Sequence, residues 1–592
     1  MGRSPLIFAL AAAVLPMASL IVVRPLDAKD HSIQRGPTIE TLAGEPIASV
    51  PAALHQSFAE YEAENASHNG RVIGPDRRFG ELPSEASGRR AVLLDRPGQR
   101  VTFRLARAAN AITVRYAIPD SDDGSGLDGN LVVQVGDRRL ATLALTSRYG
   151  WYYGKYPFTN DPGDGRAHHF FDHSRMLLGR TIPAGSEVSL SLDPATPLAW
   201  LAIDLADFEM APPPVSPPPG ALALTQFGAD PEGKRDASTA FARAVAAAAA
   251  ADRPLWIAPG RYRIDGHVEL DNVEIVGAGM WYSVLFGRRI GLYGRTDGQA
   301  SRRVRLRDFA ILGDVRERVD TDQVNAIGGA MGEGSRIERL WLQHAKAGLW
   351  FDGPMDGIVV SGLRIFDMTA DALNFHRSVS NAVVENSFIR GTGDDALAAW
   401  SGGGENRDII FRRNVVVAPV LANGIAVYGG RGITISENLV ADTLVEGGGI
   451  HVGNRFDAVP LSGSIRIADN LLVRSGSFDP NWKFGVGAIW FYALDAPIDA
   501  DIQIDNLILR DSSEDDILFI GSSVKTVRLS RLRVEGNKAA LITSRSAGQA
   551  DIVEPLMMAA TPVYRRCDPS FRLSWPLNRA IPWTEIACSP RE

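Results

Sequence analysis

The sequence predicts an all-β protein, a β-sandwich followed by a parallel β-helix whose N-terminal end is closed by a helix. Three observations predict it. Between Phe58 and Met210, seven short segments alternate apolar and polar residues with period two, and turn residues separate them. The stretch Ala211–Pro219, APPPVSPPP, then interrupts the chain as a Pro-rich linker. Beyond it, turn-then-apolar units recur, with an Asn before the apolar pair at Asn386, Asn414, Asn438, Asn470 and Asn506. The intervals of 28, 24, 32 and 36 residues fall in the range of solenoid repeats.

At 592 residues the chain is too long for one ordinary domain, and its 45% hydrophobic and 22% charged content is that of a folded soluble protein. The net charge of −7 argues against nucleic acid as a partner. Residues 1–28 read as a signal peptide or anchor: Arg3 gives a positive start and Ser4–Val23 carries no charge. The apolar core is long for a signal and lacks a clean A-x-A site, so cleavage is left open. An exported protein is expected, whether secreted, periplasmic or at the cell surface. Residues 29–55 read as a spacer.

The sandwich is expected over 56–210, with strands Ala91–Leu94, Arg100–Leu105, Ala111–Tyr116, Asn130–Val135, Leu140–Leu145, Glu187–Leu192 and Ala199–Phe208. Its opening, Tyr61-Glu-Ala-Glu64-Asn65, resembles the first strand of carbohydrate-binding modules of the galactose-binding-like type. That resemblance makes Glu64 a candidate for a structural calcium; an exposed edge strand explains it equally well. Tyr149, Trp151, Tyr152, Tyr153, Tyr156 and Phe158 form a dense aromatic cluster suited to stacking on sugar, to core packing or to packing between domains.

After the linker, 211–220, the β-helix is expected over 221–555. A helix runs from about Asp236, read as its N-cap, to Ala251. Strands follow at Pro254–Ile257, Arg261–Ile264 and Val273–Val276. The order FGAD, helix, IAPGRYRI, VEIVGAG resembles the N-terminal cap of pectate-lyase-like β-helix proteins, and such a helix covers the open end of a solenoid core. Stacked coils align Asn side chains into ladders. Ser530–Val534 reads as a last coil. The tail 556–592 is expected to fold back over the C-terminal end, stapled by the two cysteines, Cys567 and Cys588.

The chemistry is expected in Thr369–Trp400. Asp371 stands alone and, 23 residues on, Asp394 and Asp395 form a pair. One coil of 23 residues would set Asp371 and Asp394 at the same azimuth on neighbouring coils, roughly 4.8 Å apart. Close carboxylates cannot all ionise, so at least one pKa should rise, and a protonated carboxyl beside an ionised one can cleave a glycosidic bond. Adjacent strand residues point to opposite faces, so a bulge at Gly391-Thr392-Gly393 is expected to bring both carboxyls outward. A surface turn is the ordinary reading of an isolated Asp pair; its spacing from Asp371 favours function. His376, Trp400, Tyr428, His451, Arg455, Trp490 and Tyr492 are candidates to line a sugar-binding groove, although each alone is more often structural. No Cys/His metal spacing, Ser–His–Asp signature or phosphate-cradling loop stands out.

D-A-L-N-F at Asp371 and G-T-G-D-D-A at Asp394–Asp395 resemble glycoside hydrolase family 87, the α-1,3-glucanases and mycodextranases. Tyr116–Ser121, Leu145–Thr159 and His168–Leu178 look like the same family's first β-domain. The resemblance implies a right-handed β-helix and hydrolysis of α-1,3-glucan, mutan or nigeran, with inversion. It places catalytic aspartates at Asp371, Asp394 and Asp395, needs no cofactor, and makes a neutral polysaccharide the partner of a monomeric enzyme. By similarity to the polygalacturonase scheme, Asp394 is the general acid, and Asp371 and Asp395 hold the water. Inversion predicts an acid–base carboxyl separation of about 6.5–9.5 Å. Two other readings stand beside it. A polysaccharide lyase on the same fold needs a basic cluster, and none is evident beside the Asp pair. A non-catalytic glycan-binding surface protein would use the plentiful aromatics.

Overall fold

The computed structural model describes residues 56–588, apart from 157, 197, 537–538, 554–555, 559 and 576–582. The signal or anchor at 1–28 and the spacer at 29–55 lie outside the described residues.

The sandwich consists of two antiparallel sheets. One has the order Asp172–Ile182, Ala109–Ala117, Leu201–Glu209, Ala91–Leu94, Arg71–Ile73, with Phe58–Glu62 also paired to Leu201–Glu209. The other runs Ser67–His68, Arg100–Arg104, Glu187–Leu192, Asp128–Val135, Arg138–Thr146. Val101, Phe103, Ile112, Val114, Leu131, Val133 and Leu190 fill the space between them. Each of the seven expected segments is a strand, with ends shifted by at most two residues. The long strand Asp172–Ile182 and the first strand, Phe58–Glu62, escaped the alternation pattern because both faces of Phe58–Glu62 and the ends of Asp172–Ile182 are buried.

The linker is extended and tied to the solenoid, with Val215 N–H on the Ala278 carbonyl (3.0 Å) and Tyr282 Oη on the Pro212 carbonyl (2.8 Å). The helix spans Ser238–Ala251, and its N-cap is Ala237, not Asp236. Asp236 lies one residue earlier, and its carboxylate accepts from the Ser238 N–H (2.9 Å). Phe241, Ala244, Val245 and Ala248 face the end of the solenoid core.

From Leu255 the chain winds into parallel coils with three faces. The first face includes Arg305–Arg307, Ser335–Glu338, Ile358–Ser361 and Arg407–Arg412. The second includes Trp341–Gln343, Arg364–Met368, Phe388–Thr392, Val415–Val417, Leu439–Ala441 and Leu471–Val473. The third includes Leu349–Asp352, Leu373–His376, Leu397–Trp400, Ile425–Tyr428, Ile450–Asn454 and Ile489–Ala493. Identical positions stack inside. Leu349, Leu373, Leu397, Ile425 and Ile450 form one inward row, and Phe351 stacks on Phe375 with centroids 5.7 Å apart.

The five recurrent asparagines divide between two adjacent rows. Asn414, Asn438 and Asn470 form a buried ladder. The Asn438 Oδ1 accepts from the Asn414 N–H (2.9 Å), and the Asn470 Oδ1 from the Asn438 N–H (2.9 Å). Asn386 and Asn506 stand one residue earlier, in register with Arg413, Glu437 and Asp469, where every residue has a left-handed φ of 51–58°. Ser387 takes the ladder position of its coil.

The six-stranded sheet of the sandwich docks on the second face of the solenoid, so that face is buried on both sides. Phe58, Trp341, Phe366, Phe388, Val415, Val417, Leu439 and Val473 form the apolar part of this interface. Arg390 crosses it to Asp207 (2.9 Å) and Glu60, and Arg364 pairs with Glu209. Arg175 lies over the Trp341 ring at 3.9 Å. Among the described residues of the tail, Val563–Arg566 and Thr584–Ala587 add parallel strands beyond Ile542–Ile552 rather than folding back, and Ser530–Val534 lies inside an ordinary coil. Cys567 and Cys588 join the ends of those added strands in a disulfide.

The two Asn rows predict different responses. Asn438→Ala strands the Asn414 N–H and the Phe411 carbonyl, which accepts from Asn438 at 2.9 Å, and should cost roughly 1–3 kcal/mol in denaturant unfolding. Asn386→Gly keeps the exposed left-handed turn and should stay within about 0.5 kcal/mol of wild type.

Candidate active site

The three aspartates occupy the turns that carry the chain from the second face to the third. Leu373 pairs with Leu397, and Leu397 with Ile425, so the coil here is 24 residues long and the next 28. Asp371 is therefore in register with Asp395, not Asp394, and the following position is Asn423. The Ala372 N–H bonds to the Asp395 carbonyl, and the Ala396 N–H to the Asn423 carbonyl. The expected strand bulge is absent. Asp394 and Asp395 follow the end of the strand Phe388–Thr392, in a bend where strand alternation no longer applies. Gly393 packs so closely that a Cβ there would meet the Thr369 carbonyl at 2.3 Å, and this draws the two turns together.

One carboxyl oxygen from each of Asp371, Asp394 and Asp395 lies within 4.8 Å of the others. This is shorter than the 6.5–9.5 Å acid–base separation expected from the sequence. Parallel coils set in register bring the turns to strand spacing, so the nearest oxygens of the three acids meet. Asp395 is the most firmly held. Its Oδ1 accepts from Asn423 N–H and Nδ2 (both 2.9 Å) and its Oδ2 from Tyr428 Oη (2.8 Å). Asp394 Oδ1 accepts from the Asp395 N–H (2.9 Å), and its Oδ2 from Arg318 Nη2. Asn374 Nδ2 approaches Asp371 Oδ2 (3.4 Å).

Exposure and ionisation follow from these contacts. The Asp394 side chain is 28% exposed, whereas Asp371 and Asp395 are buried in the turns, outside the apolar core. Burial, then the charges of Asp394 and Asp395, push Asp371 well above the usual carboxylate range, against Arg318. Burial and then Asp394 push Asp395 up to about 7, against its bonds to Asn423 and Tyr428. Burial pushes Glu446, on the turn two coils downstream, up to about 7, with Asp479 and Asp394 adding to the shift. The cluster thus holds two carboxyls raised above the usual carboxylate range, with the Arg318 guanidinium against the third side chain. That is the equipment for general acid–base chemistry.

The groove candidates separate by exposure. His376 bonds to Asp352 (3.1 Å) and lies 4.5 Å from the Trp400 ring, while Trp400 and Tyr492 are half-buried at the surface. Arg455 spreads over Phe456 (4.1 Å) and Tyr492 (5.1 Å). Tyr428, His451 and Trp490 do not line the groove. Tyr428 is buried on Asp395, and Trp490 Nε1 donates to Asn423 Oδ1 (2.8 Å), so both support the acids from behind. His451 is fully buried 4.0 Å from the Trp490 ring, folded over Gly453, where a Cβ would meet its Nε2 at 2.7 Å. The aromatic cluster of the sandwich divides: Tyr149 stacks on His344 of the solenoid at 3.7 Å and Tyr156 reaches Asp320, whereas Trp151 packs on Phe170, Tyr152 on His169 and Tyr153 bonds to Asp120 within the sandwich.

Sequence reading missed Arg318, Lys346 and Asn423. Asn423 was reachable, since it continues the row of Asp371 and Asp395 once the coil length is known. Arg318 and Lys346 carry no local signal, and their presence corrects the expectation that basic groups are missing beside the Asp pair. Lys346 Nζ donates to the Asp320 carbonyl (2.9 Å) and feels the charge of Asp371. In the sandwich, Glu64 Oε2 and Glu62 Oε2 are buried with no hydrogen-bond partner. Burial pushes Glu64 up to about 8, and burial together with the Glu64 charge pushes Glu62 well above its usual range.

Two family models match the chain: the alpha-1,3-glucanase catalytic domain D1 over residues 56–211 and domain D2 over residues 237–547. Among solved structures, the catalytic unit of the thermostable GH87 alpha-1,3-glucanase from Streptomyces thermodiastaticus strain HF3-3 is 36% identical. It aligns over 90% of this chain and 96% of its own with a TM-score of 0.79. The Agl-KA catalytic domain, 23% identical, covers 88% of this chain and 98% of its own with a TM-score of 0.81. A GH87 alpha-1,3-glucanase catalytic domain in complex with nigerose, 21% identical, covers 90% and 98% with a TM-score of 0.73. These last two share the fold. No curated protein matches the sequence.

The raised Asp395 has a thermodynamic consequence. The folded protein keeps this proton up to about pH 7, whereas an unfolded Asp releases it near 4. Its stabilising contribution is complete below about pH 4 and is lost as pH rises towards about 7. Asp395→Asn should therefore gain melting temperature relative to wild type across that window. A difference that stays constant from pH 4 to 7 would exclude the raised value.

Proposed function

The chain belongs to glycoside hydrolase family 87, the α-1,3-glucanases, and from that premise we propose that it cleaves α-1,3-glucosidic bonds in a neutral α-glucan, mutan or nigeran, with inversion at the anomeric carbon. The observation that carries this reading is the three-carboxyl cluster, whose nearest oxygens lie within 4.8 Å at the corner between the solenoid and the sandwich. Two carboxylates that grip one water, each at about 2.8 Å, must themselves be this close. In this reading the proton that the crowded cluster retains is shared and passes to Asp394, the most exposed of the three, which protonates the leaving oxygen and leaves Asp371 and Asp395 ionised to hold and activate the water. His376, Trp400, Arg455 and Tyr492 form the sugar-facing surface, and the aromatic faces suit the apolar faces of glucose. Neighbouring GH87 catalytic domains in complex with nigerose and with tetrasaccharides support an α-glucan chain as the ligand. The chemistry needs no cofactor. With its expected export segment at 1–28, the enzyme works outside the cytoplasm as a monomer.

We also propose that Glu62 and Glu64 hold a structural calcium. Two buried, unpartnered carboxylate oxygens suit a hard cation that takes oxygen ligands, and a bound ion would remove the cost that otherwise drives both towards the protonated form.

Proton NMR of the first products from α-1,3-glucan should show the β-anomer ahead of mutarotation. Initial α-anomer would overturn inversion and point to a double displacement. Asp394→Asn, Asp371→Asn and Asp395→Asn should each lower kcat by roughly 10²–10⁴-fold with melting retained. Normal turnover in Asp394→Asn would remove it as the acid. For the calcium, EDTA should lower the melting temperature of wild type and leave that of Glu64→Gln unchanged. An EDTA-insensitive wild type would eliminate the ion.

A further inference from the structure

Residues 313–326 join the strands Ala310–Leu312 and Ile327–Gly329 and reach the sandwich. The sandwich clamps this loop at three points. Arg316 donates to the Gly124 carbonyl (2.6 Å), the Asn160 N–H approaches Glu317 (3.5 Å), and Tyr156 Oη donates to Asp320 Oδ2. Between the clamp and the active site lies Arg318. Its Nε donates to Asp320 Oδ1 (2.8 Å), its Nη2 to Asp394 Oδ2, and its guanidinium sits 5.0 Å from the Tyr156 ring centroid. The side chain is only 11% exposed, so its charge is poorly screened.

We infer that the sandwich is a working part of the active site: Tyr156, through Asp320, controls how much of the Arg318 guanidinium is committed to Asp394. Tyr156 and Asp320 are positioning residues. A guanidinium is a rigid fork of donors, so two carboxylates on adjacent edges compete for one charge. The Tyr156 phenol stabilises the Asp320 carboxylate and so weakens its pull on Arg318, leaving the cation on Asp394. The other charged or titratable groups around this relay are Asp371, Asp395 and Glu446 on the side of Asp394, and Lys346 on the loop side. Lys346 also feels the Asp320 charge, so Asp320→Asn alters its surroundings as well, whereas Tyr156→Phe leaves all four side chains in place.

The competition gives opposite signs for two conservative changes. Asp320→Asn removes the competitor, commits Arg318 to Asp394 and favours the deprotonated acid. Tyr156→Phe strengthens the competitor and favours the protonated acid. The inference rests on the reading of Asp394 as the general acid, so two measurements are paired. In the pH dependence of kcat/KM on an α-1,3-gluco-oligosaccharide, the alkaline limb should move to lower pH in Asp320→Asn and to higher pH in Tyr156→Phe, each by about half a unit. Carbon-13 NMR titration of the aspartate carboxyls in the free protein, with Asp394→Asn assigning the signal, should show the same two directions. Tyr153→Phe, which removes a neighbouring phenol bonded to Asp120 (2.9 Å), should leave both unchanged. Shifts of Asp394 in one common direction, or none, overturn the relay. Opposite NMR shifts with no matching movement of the rate profile keep the relay and remove Asp394 as the acid.

Discussion

The structure depends on the lateral register of a parallel sheet. Each coil returns the backbone to the position it left, one strand spacing further along the axis, and every row of side chains follows from that return. The apolar row Leu349, Leu373, Leu397, Ile425 and Ile450 is one result, and the ladder of Asn414, Asn438 and Asn470 is another. The stacking of Asp371 on Asp395 is a third. Polar groups that would repel or desolvate one another in an ordinary fold are held together because the hydrogen bonds of the coils fix where their turns lie. Burial in the turns, and then the charges of the neighbouring acids, raise Asp371 and Asp395 above the usual carboxylate range as a consequence of that placement.

A second constraint is the docking of the sandwich. The second face of the solenoid presents Val415-Val416-Val417, Leu439-Val440-Ala441 and Leu471-Leu472-Val473, continuous apolar runs that suit a sheet covered on both sides. Within this apolar contact Arg390 meets Glu60 and Asp207, and Arg364 meets Glu209. Buried pairs of this kind add little net stability, but removing one partner is costly, so they make one orientation of the domains far better than its neighbours. That orientation places Tyr156 over the loop that carries Arg318. The active site therefore lies at a corner between domains, with acids from the solenoid and a clamp from the sandwich.

Much of this was legible from local pattern. The period-two segments gave the sandwich strands, the Pro-rich stretch gave the boundary, and the Ala-rich run gave the capping helix, because each reflects a preference confined to a few adjacent residues. The Asn repeat was visible but ambiguous by one residue. Asn favours both the left-handed turn position of Asn386 and the adjacent ladder position of Asn414, and only pairing separates them. The same single-residue uncertainty put Asp394 rather than Asp395 opposite Asp371. His451 and Trp490 looked like groove residues because outward-pointing aromatics are the same in sequence whether sugar or protein covers them.

By itself the sequence determined that coils would form, that their turns would carry three acids about one period apart, and that those acids would meet. These are consequences of neighbouring residues and of a repeat length. Which acids keep their protons was decided only in the tertiary structure. Arg318 reaches Asp394 across 76 residues, from a loop held by a different domain. Charge acts through space and burial, and neither the distance between two ionic groups nor the water removed from around them is written in the order of the chain.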